Sequence, residues 1–232
     1  MQRSTLRVFL FPVLFITLGS ALLSCSGKQV DENDPAALMK EAEEEIKSDH
    51  YQLAIDKLKT IKNKFPYSSL AVDAQLRLAD VLYMQESFAE AAAAYETFRD
   101  LHPKHGKVVY AMFRIAKSYY NDMPSPISRD MTPAQKAQDA YQNFLKRFPE
   151  APEAAEARKD LEEVRRSLAE KEIYIANFYY KREFYESAKP RFQKVVDLYP
   201  EVAAAQEARE KIAKINQMPP KPKKEEPAKE TK

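Results

Sequence analysis

Few groups in this 232-residue chain could do chemistry: one cysteine, three histidines, clusters of carboxylates, and a large store of tyrosine, phenylalanine and methionine. His50, His102 and His105 do not stand at metal-ligand spacing from each other or from Cys25. His102 takes an aromatic's place beside a proline and His105 follows in the same loop, so packing roles are expected for them instead of acid-base work. The sequence has no Gly-rich phosphate loop, nucleophile elbow or His-x-x-x-His pair, and so offers no catalytic, metal or cofactor site. The acidic run from Glu41 to Glu45 reads as the solvated face of a helix. The aromatic and methionine side chains suit another task, gripping an extended peptide through apolar anchors, provided the fold lines them up on one surface.

Cys25 is the remaining reactive group. Residues 1–24 carry Arg3 and Arg7, then an apolar run from Val8 to Leu23 broken by Pro12 and Gly19, with no acidic residue. That is the layout of a secretory signal peptide, short for a membrane-spanning helix. It ends Leu22-Leu23-Ser24-Cys25, which resembles the bacterial lipobox, where the cysteine is acylated and becomes the mature N-terminus. Ser26 follows, with no Asp, which in such lipoproteins implies transfer to the outer membrane. Lipidation at Cys25 would hold the protein on the inner leaflet, since each buried CH₂ contributes about 0.8 kcal/mol. Residues 25–34 are then a lipidated, flexible tether. Losing the leader removes two cations and no acid, so the mature chain is balanced in charge and gives no argument for a nucleic-acid partner.

The elements that must position the apolar anchors are helices. Glycine occurs only three times while Ala, Leu, Glu and Lys abound, which disfavours folds built on Gly-bearing turns. Pro66, Pro103, Pro149 and Pro200 mark a repeat: the same offset before each gives Ala54, Ala91, Ala137 and Ala188, then Leu58, Tyr95, Tyr141 and Phe192, then Ile61, Phe98, Phe144 and Val195. A second small residue precedes each unit's first, at Ala42, Ala79, Ala116 and Ala176, with an insertion at 121–133 that lengthens the third unit and whose three prolines argue against helix. Two antiparallel helices per repeat, small residues at close approaches and a closing proline form the tetratricopeptide pattern. The expected fold is all-α: a right-handed superhelical tetratricopeptide-repeat solenoid over residues 35–217, of four helical-hairpin units plus a C-terminal helix between Glu201 and Gln217. Residues 152–171 should extend the first helix of unit four to some 30 residues. Residues 218–232, rich in Pro, Lys and Glu, are expected to be a disordered tail.

In such a stack the first helix of each pair lines the concave face. The register turns Met39, Glu43, Ile46 and Lys47 inward from unit one, and Asp73, Leu76, Asp80, Tyr83 and Met84 from unit two. Unit three supplies Tyr110, Phe113, Lys117 and Tyr120, and unit four Ile173, Asn177, Tyr180 and Lys181. Met39, Ile46, Leu76, Asp80, Tyr83, Met84, Tyr110, Phe113 and Tyr120 are therefore the candidate peptide groove, with inter-repeat core as the competing role, above all for Phe113 and Ile173.

A lipobox cysteine followed by this series of units is similar to the BamD family of outer-membrane lipoproteins. Phe65-Pro66-Tyr67-Ser68-Ser69 with Gln75-Leu76 resembles the family's first junction between units, and Leu101-His102-Pro103-Lys104-His105 with Val109-Tyr110-Ala111-Met112 resembles its second. Ser128-Arg129-Asp130-x-Thr132-Pro133 resembles its Arg-Asp loop, and Glu172-x-Tyr174-x-Ala176-x-Phe178-Tyr179 the start of its fourth unit. The resemblance, over about residues 25–217, implies a non-catalytic adaptor of the β-barrel assembly (BAM) complex. It would bind the periplasmic domains of BamA through its C-terminal half, meet unfolded outer membrane proteins on its N-terminal units, and contact other BAM lipoproteins. Carried over by position, Arg191 matches an Arg the family uses at the BamA contact, and Tyr180 and Lys181 join it as partner-binding candidates. Where the family often has a complete fifth unit, the sequence here reads as one further helix. The alternative is another periplasmic tetratricopeptide lipoprotein, one that coordinates envelope division or peptidoglycan synthesis.

Overall fold

The computed structural model describes residues 31, 33–125, 127 and 129–219. Cys25, the leader, most of the tether, Ser128 and tail residues 220–232 lie outside the described residues. Those described are helical or irregular, in the order α1 Pro35–Lys47, α2 Tyr51–Lys64, α3 Ser69–Met84, α4 Phe88–Leu101, α5 Val108–Asn121, α6 Thr132–Arg147, α7 Ala154–Lys181, α8 Tyr185–Leu198 and α9 Ala204–Gln217.

Each boundary has a local cause. Asp34 caps α1 by accepting from the Ala36 amide at 2.8 Å, with Pro35 in the first turn, and Ser68 caps α3 through the Leu70 amide at 3.2 Å. The second helices of the four units end at Lys64, Leu101, Arg147 and Leu198, in each case two residues before the repeat proline, which the helix cannot absorb. The insertion is shorter in irregular backbone than its prolines suggest: α6 begins at Thr132 and takes Pro133 into its first turn, where a missing N–H costs nothing.

Packing follows the repeat. Every helix packs on its neighbours in sequence, and first helices also meet across units, α1 with α3, α5 with α7 and α7 with α9. Ala42, Ala79, Ala116 and Ala176 and the three sets of positions read back from the prolines are all fully buried. Alanine at the crossings lets helix axes approach, and the larger side chains at the next two positions fill the space between hairpins. The fold is a tetratricopeptide solenoid of four hairpins, closed by α9, whose Ala205 and Ala208 are buried against α7 and α8. α7 runs for 28 residues and forms the wall on which unit three leans.

The turns inside hairpins one, two and four are three residues long and place the middle residue in left-handed backbone, at Asp49 (φ 59°), Glu86 (φ 62°) and Glu183 (φ 60°). These are the places where glycine would be at ease, and here acidic residues occupy them. The scarcity of glycine therefore removed glycine from the turns without removing the turns.

Candidate peptide groove and partner-docking face

On the first helices of units one to three, the side chains form one connected polar chain. Arg77 donates from Nε and Nη2 to both carboxylate oxygens of Glu43, at 2.7 and 2.8 Å, tying α3 to α1. Glu43 thereby raises the Arg77 pKa further. One turn along, Asp80 Oδ1 accepts from the hydroxyls of Tyr95 (2.6 Å) and Tyr110 (2.8 Å), joining α3, α4 and α5. Arg114 donates to the Tyr95 hydroxyl at 3.2 Å and lays its guanidinium 3.5 Å from the centre of the Tyr83 ring, a cation–π contact. Asn121 donates to the Tyr83 hydroxyl at 2.7 Å. Burial, then the Asp80 charge, pushes the Tyr110 phenol up to about 12 and Tyr95 higher still, so both remain proton donors throughout the physiological range.

Beside this chain lies a recess of about 220 Å³ lined by the apolar Met39, Leu70 and Leu76 and by Glu43, Asp73, Asp80 and Arg77 of the polar chain and its edge. It brings together Met39, Leu76 and Asp80 of the expected groove. Tyr83 and Tyr110 are half-buried beside it in the polar chain, and Met84, 42% exposed, stands at the end of α3. Ile46 and Phe113 do not belong to this surface. They are 8% and 6% exposed, and Phe113 packs against Tyr141 and Phe144. Both are core, because the neighbouring hairpins close over that flank of each first helix. Ile173 is buried in the same way. Tyr120 is half-buried over the Tyr141 ring, with Lys117 Nζ 5.0 Å from its own ring centre. Lys117 reaches Asp160 and Glu156 on α7, both at 2.7 Å, and Tyr141 donates to the same buried Asp160.

Register alone did not single out Arg77 and Arg114. They hold equivalent places, two residues before Ala79 and Ala116, so a signal was present: one cation repeated at one register position in successive units.

Unit four offers a different face. Glu172, 8% exposed, receives Arg191 Nη1 at 2.9 Å and Lys194 Nζ at 2.5 Å, clamping α8 to α7. Arg191 is 44% exposed, held at its head by Glu172 and presented on the surface of α8. Tyr180 is half-buried against Tyr185 and Phe192, with Lys211 Nζ 4.4 Å from its ring centre, whereas Lys181 is exposed. Arg191 and the Tyr180–Lys181 pair thus sit on consecutive helices of one hairpin. His102 and His105 make packing contacts, His102 bonding Gln75 at 3.0 Å and leaning on Phe98 and His105 meeting the same ring edge-on, while the exposed His50 bonds Glu45.

The sequence model of the YfiO family, described as outer membrane lipoprotein, matches residues 31–230. The chain belongs to this family. Among its relatives is the outer membrane protein assembly factor BamD of Neisseria meningitidis serogroup A, 29% identical, covering 81% of this chain and 76% of that one. The BamD of Vibrio cholerae is 27% identical over 82% and 84% of the two chains, and that of Rickettsia prowazekii 27% identical over 79% and 74%. Among solved structures, a tetratricopeptide repeat protein from Parabacteroides merdae aligns with 78% of this chain and 60% of its own at 16% identity and a TM-score of 0.41. No described helix is long and apolar enough to cross a membrane, and no three His, Cys, Asp or Glu side chains among the described residues could hold a metal.

Proposed function

We propose that this protein is an assembly factor for outer membrane β-barrel proteins, tethered to the inner leaflet of the outer membrane through acylated Cys25 and acting as a non-catalytic adaptor of the BAM complex. On this reading unit four docks on the periplasmic domains of BamA, and the recess of units one and two receives unfolded outer membrane polypeptides. The match of the outer-membrane lipoprotein family to residues 31–230 carries the reading. The geometry of Arg191 supports the docking site. A guanidinium anchored at one nitrogen by Glu172 and still 44% exposed has little rotamer freedom left to lose, which lowers the cost of binding a partner carboxylate or carbonyl. The recess supports peptide capture, because its apolar lining beside fixed polar groups suits an extended chain with apolar side chains.

The test is a binding assay between residues 26–232, without the lipid, and the periplasmic domains of the same organism's BamA. A stable complex that Arg191→Ala weakens by about tenfold, equivalent to 1.4 kcal/mol, is the expected result. Lys194→Ala removes the other cation on Glu172 while keeping Arg191, and should leave affinity within about twofold. Absence of a complex at micromolar concentrations refutes the adaptor reading, and equal loss in both variants refutes the role given to Arg191.

A further inference from the structure

The stack of hairpins has two edges. Each first helix runs from one edge to the other and each second helix runs back, so the turns inside hairpins, at 48–50, 85–87 and 182–184, share one edge. The junctions between hairpins, at 65–68, 102–107 and 148–153, share the other, together with the start of α1. On this junction edge Tyr67 is 101% exposed and Leu101, the last residue of α4, is 64% exposed. The fold does not need an apolar side chain at 101, because other units hold Lys64 and Arg147 at the same repeat position. Lys62, Lys64, Lys104 and Lys107 surround the pair and are exposed. Among the described residues Lys62, Lys104 and Lys107 have no side-chain hydrogen bond or ion pair. The described acids nearby are engaged: Asp100 takes Arg99 at 2.7 Å, Asp34 caps α1, and Asp31 accepts from the Asn33 amide. The third junction, with Glu150 and Glu153, lacks this basic and apolar character.

We propose that the junction edge of units one and two lies on an anionic phospholipid surface, with Tyr67 and Leu101 at headgroup depth and the lysines against the phosphates. The inference rests on the tether of the proposed function and adds to it the face that meets the leaflet. Tyrosine and leucine gain by leaving water at such an interface, and each lysine beside it adds attraction to negative headgroups. The point of attachment agrees with the chemistry. A chain anchored at Cys25 enters the domain at Pro35, on this edge and in unit one, and residues 25–34 span at most about 35 Å. Contact along the edge leaves the groove on the first helices open beside the leaflet. It also leaves Arg191, midway along α8, clear of the lipid.

The sequence contains no tryptophan, so a single introduced one reports its own surroundings. Residues 25–232 are coupled through Cys25, the only cysteine, to a maleimide-headgroup lipid in vesicles of phosphatidylcholine with phosphatidylglycerol, or of phosphatidylcholine alone. The coupling supplies the tether, so the outcome does not depend on acylation in the cell, which the mass of the native protein tests separately. In the anionic vesicles Tyr67→Trp should shift its emission to shorter wavelength and be quenched by brominated lipid. Phe184→Trp, an exposed reporter on the opposite edge, should show neither effect. Lys62→Glu with Lys104→Glu should bring the Tyr67→Trp signal down to that of Phe184→Trp, since each lysine contributes about fivefold to partitioning at a charged surface. High salt should do the same. Every substituted side chain is exposed, and the far-ultraviolet circular dichroism should not change. Equal quenching of the two reporters overturns the proposal, as does a Tyr67→Trp signal that is indifferent to phosphatidylglycerol or to the two lysine substitutions. Absence of contact with either vesicle also overturns it, and leaves the edge to an acidic protein partner.

Discussion

Glu172→Gln isolates the clamp that presents Arg191. The glutamine keeps the shape of the side chain and one acceptor oxygen but loses the charge that Arg191 and Lys194 share. A hydrogen bond to a charged group is worth about 1.5–3 kcal/mol when sheltered and an exposed pair only about 0.2–1. Glu172 is 11% exposed at its side chain but its partners are 44% and 43% exposed, so screening pulls the sum down to about 1–2 kcal/mol. For a chain of this size that lowers the melting temperature by about 3–6 °C at neutral pH. The pH dependence is the sharper observable. Burial pushes the Glu172 carboxyl up, but the bonds from Lys194 and Arg191 outweigh burial and hold its pKa below the ordinary carboxylate value. A folded-state pKa below the unfolded one gives stability that is fully present above the unfolded value and is lost as pH falls through the folded one. The gap in melting temperature between wild type and Glu172→Gln should therefore be constant from pH 7 to about pH 5 and close below about pH 4. Melts followed by circular dichroism across that range measure it. A gap that is the same at pH 3 as at pH 7 would refute the assignment of the stabilisation to the ionised carboxylate.

Other perturbations separate strain, core and groove. Glu86→Gly relieves left-handed backbone in the turn of hairpin two, worth about 1–2 kcal/mol, against a glycine entropy cost of about 0.5–1; calorimetry should show a net gain of about 0.5–1 kcal/mol, and a loss would show that the Glu86 side chain stabilises the turn. Phe144→Ala empties a fully buried site against Phe113 and Phe148, at a cost of about 3–5 kcal/mol. Because solenoid units couple only to neighbours, hydrogen exchange should rise in α5–α7 well before α1 and α2. Met84→Glu adds a charge at an exposed edge of the groove and should weaken binding of an unfolded outer membrane protein peptide by about tenfold in a fluorescence titration while leaving the BamA complex intact.

How far the sequence was legible depends on what each feature needs. The hairpins could be read from it because Pro66, Pro103, Pro149 and Pro200 stop helices by sterics alone, and Ala42 or Ala79 mark crossings that no larger side chain fits. Such constraints act within one hairpin and leave a fixed period. The register left groove and core open as competing roles for Phe113 and put Ile46 in the groove, because burial depends on how far one hairpin rotates over the next, which no single unit encodes. The clamp on Glu172 is a case between these. Arg191 and Lys194 lie on one face of α8 by spacing, but that both converge on a single carboxylate of α7 is a property of the packed pair.

The groove carries the same lesson into function. A solenoid that binds peptides, as proposed for this one, must keep its inner face open and still hold that face in one shape, and apolar side chains alone would either close it or leave it loose. Here the holding is done by charges placed one repeat apart. Glu43 and Arg77 join units one and two, Asp80 joins two and three through Tyr110, and Lys117 with Asp160 joins three and four. Each bond spans a junction between hairpins, so the relative angle of adjacent units is set by polar contacts at the rim while the Ala and aromatic positions fix it in the core. Met39 and Met84 take no part in this chain of bonds, while Leu76 lines the recess and packs against the core, so on the proposed reading the bound segment meets an apolar surface held in place from behind. Cutting one rim bond, as Arg77→Met does, should loosen the groove at the junction of units one and two and weaken peptide capture with little loss of helix content, since the buried repeat positions that hold each hairpin together are untouched.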